Sequence, residues 1–338
     1  MAQKRVLIVD YNHLAHTYLH GGAAPLSHTV MIGGKPQIID TTIQAYTIKA
    51  IHRWANKGQN PTAVCFDSPC NCRKAYFAKK GGVDEKGTAM GYKSARENLP
   101  PRAFDAINMT SQILKMGGVC CYKANNYEAD DLVYACVQRA KQDYPDLPID
   151  IVCNDADLLP LVDDQVSVFF RSRKYTYAKS KDIEKAHYIQ VTPSNFQEVC
   201  EGISQYKNLT VPYNSLLLAK LLRGDKSDEI LGHPDWKPKM YKQLIDLLDG
   251  NAEDFSGVFR YGGEAQLGVI CNMLDKYIDE ADLDHIRFVY RGMDLNGGFE
   301  GLPEGYNRKP AVLNTAIKEY NMGELQREAS KLNIKLPI

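Results

Sequence analysis

Within "NNYEADDLVYACVQRAK" (residues 125–141), Glu128, Asp130 and Asp131 set three carboxylates in four positions. Carboxylates bind hard cations, move protons or cap helices. An apolar helical pattern follows at once, with Leu132, Val133, Ala135, Cys136 and Val137, so the acids stand at the mouth of a helix that must pack. Four more acids have a comparable setting. Asp10 closes "RVLIVD", Asp67 closes "TAVCFD", and Asp155 closes "IDIVCND", with Asp157 two residues on. Singly, each has an ordinary explanation: the macrodipole favours acids in a first helical turn, and Asp is common in turns. Together they are harder to explain. Seven carboxylates on one sheet edge would repel by on the order of several kcal/mol, so the cluster persists only if cations neutralise it. Oxygen ligands without His or Cys select Mg²⁺ or Mn²⁺. Two such ions can activate a water and stabilise the leaving oxygen of a phosphodiester.

The elements that must position these acids are legible in outline. Apolar runs ending at Asp10, Asp67 and Asp155 alternate with helical patterns at about 42–54, 103–116 and 128–141. Strand–helix alternation predicts a parallel α/β sheet, whose strand ends share one edge where such folds bind ligands. "QVSVFFRSRKYTYA" reads as a closing hairpin, apolar and then basic. After about residue 200 helical periodicity takes over, as in "YNSLLLAKLLRG" and "AQLGVICNMLDKYIDEA". The expected division is an acid-bearing α/β core over 1–205 and a helical part over 206–338. In the second part, "LLRGDKSDEILG" (221–232) reads by itself as a helix C-cap at Gly224 followed by an N-cap, with Asp225 and Asp228 inside it.

Residues 68–103 fit neither pattern. Arg73, Lys74, Lys79, Lys80, Lys86, Lys93, Arg96 and Arg102 face only Asp84, Glu85 and Glu97, with Tyr76, Phe77 and Tyr92 interleaved. A long insertion of this kind is functional or a solvated loop. Its cations suit phosphate and its aromatics suit unpaired bases. The 338 residues carry 41 basic and 41 acidic side chains, so net charge points to no partner. No apolar run approaches a membrane span, and "MAQKRVLIVD" reads as a basic-led strand rather than a signal peptide. Nine cysteines form no even framework, which predicts reduced thiols in a cytoplasmic protein.

In order along the chain, "LIVDYNHL", "CFDSP", "YKSAR", "YEADD", "NDADLLPLV" and "RGDKSDEILG" resemble the flap endonuclease/5′-nuclease family, in particular its bacteriophage 5′→3′ exonuclease and RNase H-type members. The resemblance spans about residues 5–232. It implies a parallel-sheet, PIN-like α/β core with an arch insertion over the active site and a helix–three-turn–helix DNA-binding element in the helical part. It implies that Asp10, Asp67, Glu128 and Asp130 serve one Mg²⁺ or Mn²⁺, and that Asp131, Asp155, Asp157 and Asp225 serve a second, with Asp228 nearby. It makes Lys93 and Arg96 the arch residues that act on the scissile phosphate. The implied function is 5′→3′ exonuclease and flap endonuclease action, with RNase H-type primer removal, in replication. The substrates would be DNA flaps, 5′ ends and RNA–DNA primers. A single-stranded-DNA-binding protein or clamp is a candidate partner of an expected monomer, in the host cytoplasm if phage-encoded. Where family members carry a Gly-x-Gly hairpin for a monovalent ion, this chain has "LGHPDWKPKMYKQL". Lys237, Lys239 and Lys242 are expected to contact phosphates there instead, with Lys220, Arg223, Gly224 and Lys226 around the turn. Arg73, Lys74, Tyr92, Arg171 and Lys174 are further expected DNA contacts.

Other readings are weaker. His13, His16 and His20 have helical spacing without a zincin glutamate and read as packing or surface histidines. Cys65, Cys70 and Cys72 lack a second pair for zinc. A haloacid-type phosphatase needs Asp two positions after Asp10, where Asn12 stands. A PIN-type ribonuclease lacks the arch and the "GDKSDE" turn. A non-catalytic DNA-binding relative would have lost several of the acids, and none is missing.

Overall fold

The computed structural model describes residues 4–20, 26–32, 34–56, 59–68, 73, 76–77, 93, 101–116, 119–125, 127–171, 188–203, 216–225, 228–232, 239, 242–244, 246 and 258–295. β1 (Val6–Asp10) runs directly into α1 (Tyr11–His20), and a hairpin of β2 (Ser27–Ile32) and β3 (Lys35–Asp40) precedes α2 (Thr42–Trp54). Next come β4 (Thr62–Cys65), α3 (Pro101–Met116), β5 (Cys120–Tyr122), α4 (Ala129–Asp143) and β6 (Ile149–Cys153). A 3₁₀ turn (Ala156–Leu161), β7 (Val166–Arg171), β8 (Tyr188–Val191) and α5 (Phe196–Gly202) follow. The remaining described elements are α6 (Leu216–Arg223), a short ribbon of β9 (Gly224–Asp225) and β10 (Ile230–Leu231), α7 (Gly263–Leu274) and α8 (Glu280–Met293).

The main sheet has the order β5–β4–β1–β6–β7–β8, parallel except for β8 against β7. β1 and β6 are buried at all five positions each, as strands covered on both faces must be. Side-chain alternation splits β1 between two layers. Val6 and Ile8 belong to the core that includes α4, α6, α7 and α8, whereas Leu7 and Val9 belong to the one that includes α1, α2 and α3. The chain builds β4 and β5 on one side of β1, then returns to lay β6 and β7 on the other. That reversal opens a crevice at the carboxyl end of β1, where Asp10 stands.

α4 follows from its sequence. Glu128 and Asp131 form a reciprocal capping box, so the acids start the helix as well as facing the crevice. Leu132, Val133, Cys136, Val137 and Ala140 then make a buried stripe at helical spacing. Each large apolar residue in it contributes about 1.5–3 kcal/mol of burial.

The parallel α/β expectation is met, with α2 at the expected bounds. The hairpin expected from "QVSVFFRSRKYTYA" has a later partner: β7 pairs with β8, and residues 172–187 are outside the description. The β2–β3 hairpin was not anticipated. The described helices of the 206–338 part share one apolar core with the sheet. Gly224 ends α6 with φ +70, the left-handed residue expected there. The rest of the helix–three-turn–helix expectation falls mostly on residues 226–227 and 233–241, largely outside the description, as does most of the arch. No described helix is long and apolar enough to cross a membrane.

Candidate metal centre

Asp10 is 7% exposed at the end of β1, and the first turn of α1 donates to it: Asn12 N–H to Oδ1 at 3.0 Å and His13 N–H at 3.4 Å. Asp67 stands two residues beyond β4. Its Oδ1 accepts the Ala129 N–H at 2.6 Å, tying the strand end to the start of α4, and its Oδ2 accepts from the Asn12 side-chain amide. Beyond β6, Asp155 caps the 3₁₀ turn through the Asp157 N–H at 2.9 Å. From α4, Asp130 joins them. Side-chain oxygens of Asp130, Asp155 and Asp157 lie within 4.8 Å of one another. The geometry thus gathers strand ends and a helix mouth into one pocket, as the sequence pattern predicts.

Protons report the crowding. Burial pushes the Asp10 carboxyl up to about 8, and the charges of Asp67 and Asp155 push the same way. Burial raises Asp130 well above the carboxylate range, helped by Asp155 and Asp10. Asp67 is raised by burial as well. Like charges packed this closely need a cation to stay ionised.

Part of that charge comes from the protein. The Lys93 ammonium donates to Glu128 Oε1 at 2.6 Å and lies 3.5 Å from Asp228, while its backbone N–H donates to the Asp228 carbonyl at 3.2 Å. Burial lowers the Lys93 pKa, but Glu128, Asp228 and Asp130 outweigh it and hold the ammonium charged. Lys220 has 0% exposure and bridges Asp157 and Asp225, 2.8 Å from the latter. Arg73 is 6% exposed and forks between Glu128 and Asp131. Burial raises the Asp131 carboxyl, and the guanidinium opposes that rise.

Hard divalent ions fit the residues present. The donors are carboxylates, and the Asn12 side-chain carbonyl is buried beside Asp10 and Asp67 with no hydrogen-bond partner.

Several expected sites stand elsewhere. Arg73 was expected on the DNA surface, but its guanidinium is buried among carboxylates. Lys220 was expected beside the turn as a phosphate contact and is instead a buried ion-pair partner, because it lies in the apolar face of α6. Asp131 was expected to serve the second ion, yet its oxygens meet Arg73 and the Glu128 N–H. Phe77 is 1% exposed and Tyr76 stacks on Phe288 with ring centroids 5.5 Å apart, so these aromatics build the core rather than await bases. Arg171 donates to Thr17 Oγ1 near the end of β7. Arg223 and Gly224 are half-buried, whereas Lys239 and Lys242 are exposed, Lys242 pairing with Asp246 at 2.9 Å. Lys74, Tyr92, Arg96, Lys174, Lys226 and Lys237 lie outside the described residues, as do Cys70 and Cys72. The seven described cysteines are free thiols. His13 is a packing residue, as expected: its ring lies 2.7 Å from the Tyr188 hydroxyl, and burial lowers its pKa to about 3.

Sequence reading missed two contributors. Asn12 had counted only against a phosphatase, although its place two residues after Asp10 was a signal. Asp294 lies in a segment with no chemical motif; its carbonyl accepts from Arg73 at 3.3 Å, and Met293 and Leu295 line the pocket with Glu128, Asp130 and Asp157.

Known proteins share both sequence and fold with this chain. Over 267 residues it is 27% identical to DNA polymerase I of Mycobacterium leprae, which covers 77% of this chain and 25% of that protein. The 5'-3' exonuclease of Mycoplasma pneumoniae is 27% identical over 157 residues, 46% of each chain. The chain thus spans less than half of the length of these relatives. The bacteriophage T5 D15 protein co-crystallised with metal ions superposes with a TM-score of 0.54 at 16% identity, over 87% of this chain and 90% of that one. The D15 flap endonuclease in a pseudo-enzyme-product complex with DNA and metal ions gives 0.52 at 16% identity, with the same coverage. The family model described as "5'-3' exonuclease, N-terminal resolvase-like domain" matches residues 5–188, more than half of the 338. The chain therefore belongs to the 5'-3' exonuclease family.

Proposed function

We propose that this protein is a divalent-metal-dependent 5′→3′ nuclease that hydrolyses phosphodiester bonds at DNA flaps and 5′ ends, with RNase H-type removal of RNA primers during replication. The observation that carries the reading is the meeting of Asp130, Asp155 and Asp157 oxygens within 4.8 Å in a chain of this family. The similar T5 structures hold metal ions and, in one case, DNA, which supports the same ligands here.

Asp10, Asp67, Glu128 and Asp130 would hold one Mg²⁺ or Mn²⁺, and Asp155, Asp157 and Asp225 a second, with Asp228 beside it. When bound, the ions polarise the phosphodiester and lower the pKa of water for attack. The chain's own residues do the rest. Asn12 and the Ala129 N–H fix Asp67 in orientation. The permanent charge of Lys93, with Arg96, answers the negative charge that develops on the phosphoryl oxygens. Lys237, Lys239 and Lys242 grip duplex phosphates away from the cut. Replacing these three lysines with Ala is expected to flatten the salt dependence of duplex binding by up to roughly one log-slope unit per lost contact. An unchanged slope in a folded variant would assign them to solvation of a helix face.

The test of the reaction is a cleavage profile on 5′-labelled flap, nicked duplex and RNA–DNA hybrid, with Mg²⁺ or with EDTA. The proposal expects metal-dependent products released from the 5′ side on flap and nicked duplex, and primer removal on the hybrid. Binding without cleavage of any substrate would identify a non-catalytic structure-specific relative instead.

A further inference from the structure

We infer that Arg73 is an internal counter-ion that takes Asp131 out of the metal-ligand set and thereby fixes the charge of the metal centre. The inference rests on the metal-dependent function proposed above. Arg73 Nη2 donates to Asp131 Oδ1 at 2.5 Å, and Nη1 donates to Asp131 Oδ2 at 3.0 Å and to Glu128 Oε2 at 2.6 Å. Asp131 Oδ2 also accepts the Glu128 N–H at 2.9 Å. Both Asp131 oxygens therefore face the same guanidinium, whereas those of Glu128 and of Asp67 are met by separate donors, and the residue is 1% exposed. An incoming ion would have to break a buried bidentate arginine–carboxylate pair, the strongest and most directional kind of ion pair.

Helix geometry explains the division of labour. Successive positions diverge by about 100° around a helix. The first turn of α4 accordingly aims Asp130 at Asp155 and Asp157, and aims Asp131 at the arginine. Glu128 stands between them, held by Arg73 through Oε2 and by Lys93 through Oε1. Arg73 thus also orients a proposed ligand, which makes it a positioning residue.

The arginine is itself seated from the far end of the chain. Nη2 donates to the Asp294 carbonyl at 3.3 Å, and Asp294 Oδ1 accepts the Gly262 N–H at 3.4 Å. Tyr76, three residues after Arg73, stacks on Phe288 and donates its hydroxyl to the Phe288 carbonyl at 3.1 Å. A surface phosphate contact would need none of this. The α8 region is therefore part of the device that sets the charge of the centre.

The experiment is calorimetric titration of Mn²⁺ into the full-length protein without DNA, for wild type, Arg73→Met, Asp131→Asn and the double variant, with a melting curve of each. Arg73→Met frees a carboxylate beside the ions and should tighten Mn²⁺ binding by about tenfold. Asp131→Asn keeps the acceptor for the Glu128 N–H but leaves the arginine's charge to be answered by Glu128, a proposed ligand, and should weaken binding. The double variant removes opposite charges together but also the Arg73 donor to Glu128, so it should bind more weakly than Arg73→Met and more tightly than Asp131→Asn. Were Asp131 a ligand, the double variant would stay as weak as Asp131→Asn, and that result overturns the inference alone. Absence of Mn²⁺ binding by the wild type would overturn the metal-dependent reading and this inference with it. Should Arg73→Met fail to fold, the comparison of the double variant with Asp131→Asn still decides.

Discussion

At the scale of residues, the centre is a balance between acids and three cations, the buried Arg73 and Lys220 and the partly buried Lys93. The acids were legible because each closes an apolar run or opens a helix, positions that a parallel sheet brings to one edge. The cations were not. Arg73 and Lys220 carry the same signature as surface phosphate contacts until folding shows which side they face. Lys220 in "LLLAKLLR" held the clearer hint, a charge within an apolar stripe. Lys220→Met strands Asp157 and Asp225 in a buried setting and should destabilise the metal-free protein by about 3–5 kcal/mol. Mg²⁺ should recover part of that loss, because it answers the same charges. Melting in EDTA and in Mg²⁺ checks this, and an equal loss in both would assign Lys220 to packing alone.

At the scale of elements, periodicity located α2 and α4 well, since both bury a regular stripe and α4 has its own capping box. The β2–β3 hairpin escaped although Gly33 and Gly34 separate its strands by two residues, a recognised turn signal. Its strands do not belong to the main sheet, and "SHTVMI" and "KPQIID" show little apolar alternation. The turn after α6 depends on a close approach that sequence cannot display. A Cβ on Gly232 would come within 2.3 Å of the backbone of Arg223, the last residue of α6, which leads directly into the ribbon holding Asp225. Gly232→Ala should therefore cost about 1–3 kcal/mol and displace Asp225. The expected result is a lower melting temperature together with weaker Mn²⁺ binding. An alanine variant with unchanged stability would show that the turn relaxes freely.

At the scale of the whole molecule, equal numbers of acids and bases conceal a local excess of acid. Acids line the crevice at the sheet's carboxyl edge with Arg73, Lys93 and Lys220 among them, while the whole chain is neutral. The family and the core fold were readable because the motifs span the sheet. The role of the last helices was not, because Asp294 and Phe288 act through a carbonyl and a ring face that leave no motif. The field also sets the pH behaviour. Asp10 is raised to about 8 when folded, so between about pH 4 and 8 the metal-free folded state holds a proton that the unfolded chain has released. Its stabilising effect is complete below about pH 4 and is lost as pH rises toward 8. His13, lowered to about 3, acts oppositely, and its contribution fades as pH falls below about 6.5. The metal-free protein should therefore melt at a lower temperature at pH 8 than at pH 6, and saturating Mg²⁺ should remove most of that difference. Equal melting temperatures at the two pH values without metal would mean that the acids are not electrostatically strained.

The acid cluster is proposed as a metal centre for phosphodiester hydrolysis. Single-turnover cleavage of a 5′-labelled flap by wild type and Asp130→Asn, across a Mg²⁺ titration and with binding measured in parallel, addresses it most directly. Asp130→Asn keeps the side-chain shape and removes one ligand charge. The predicted result is Mg²⁺-dependent cleavage by wild type, and flap binding within about a few fold but loss of more than about a thousandfold in rate for the variant. Cleavage by Asp130→Asn at near the wild-type rate, or by wild type in EDTA, would contradict it.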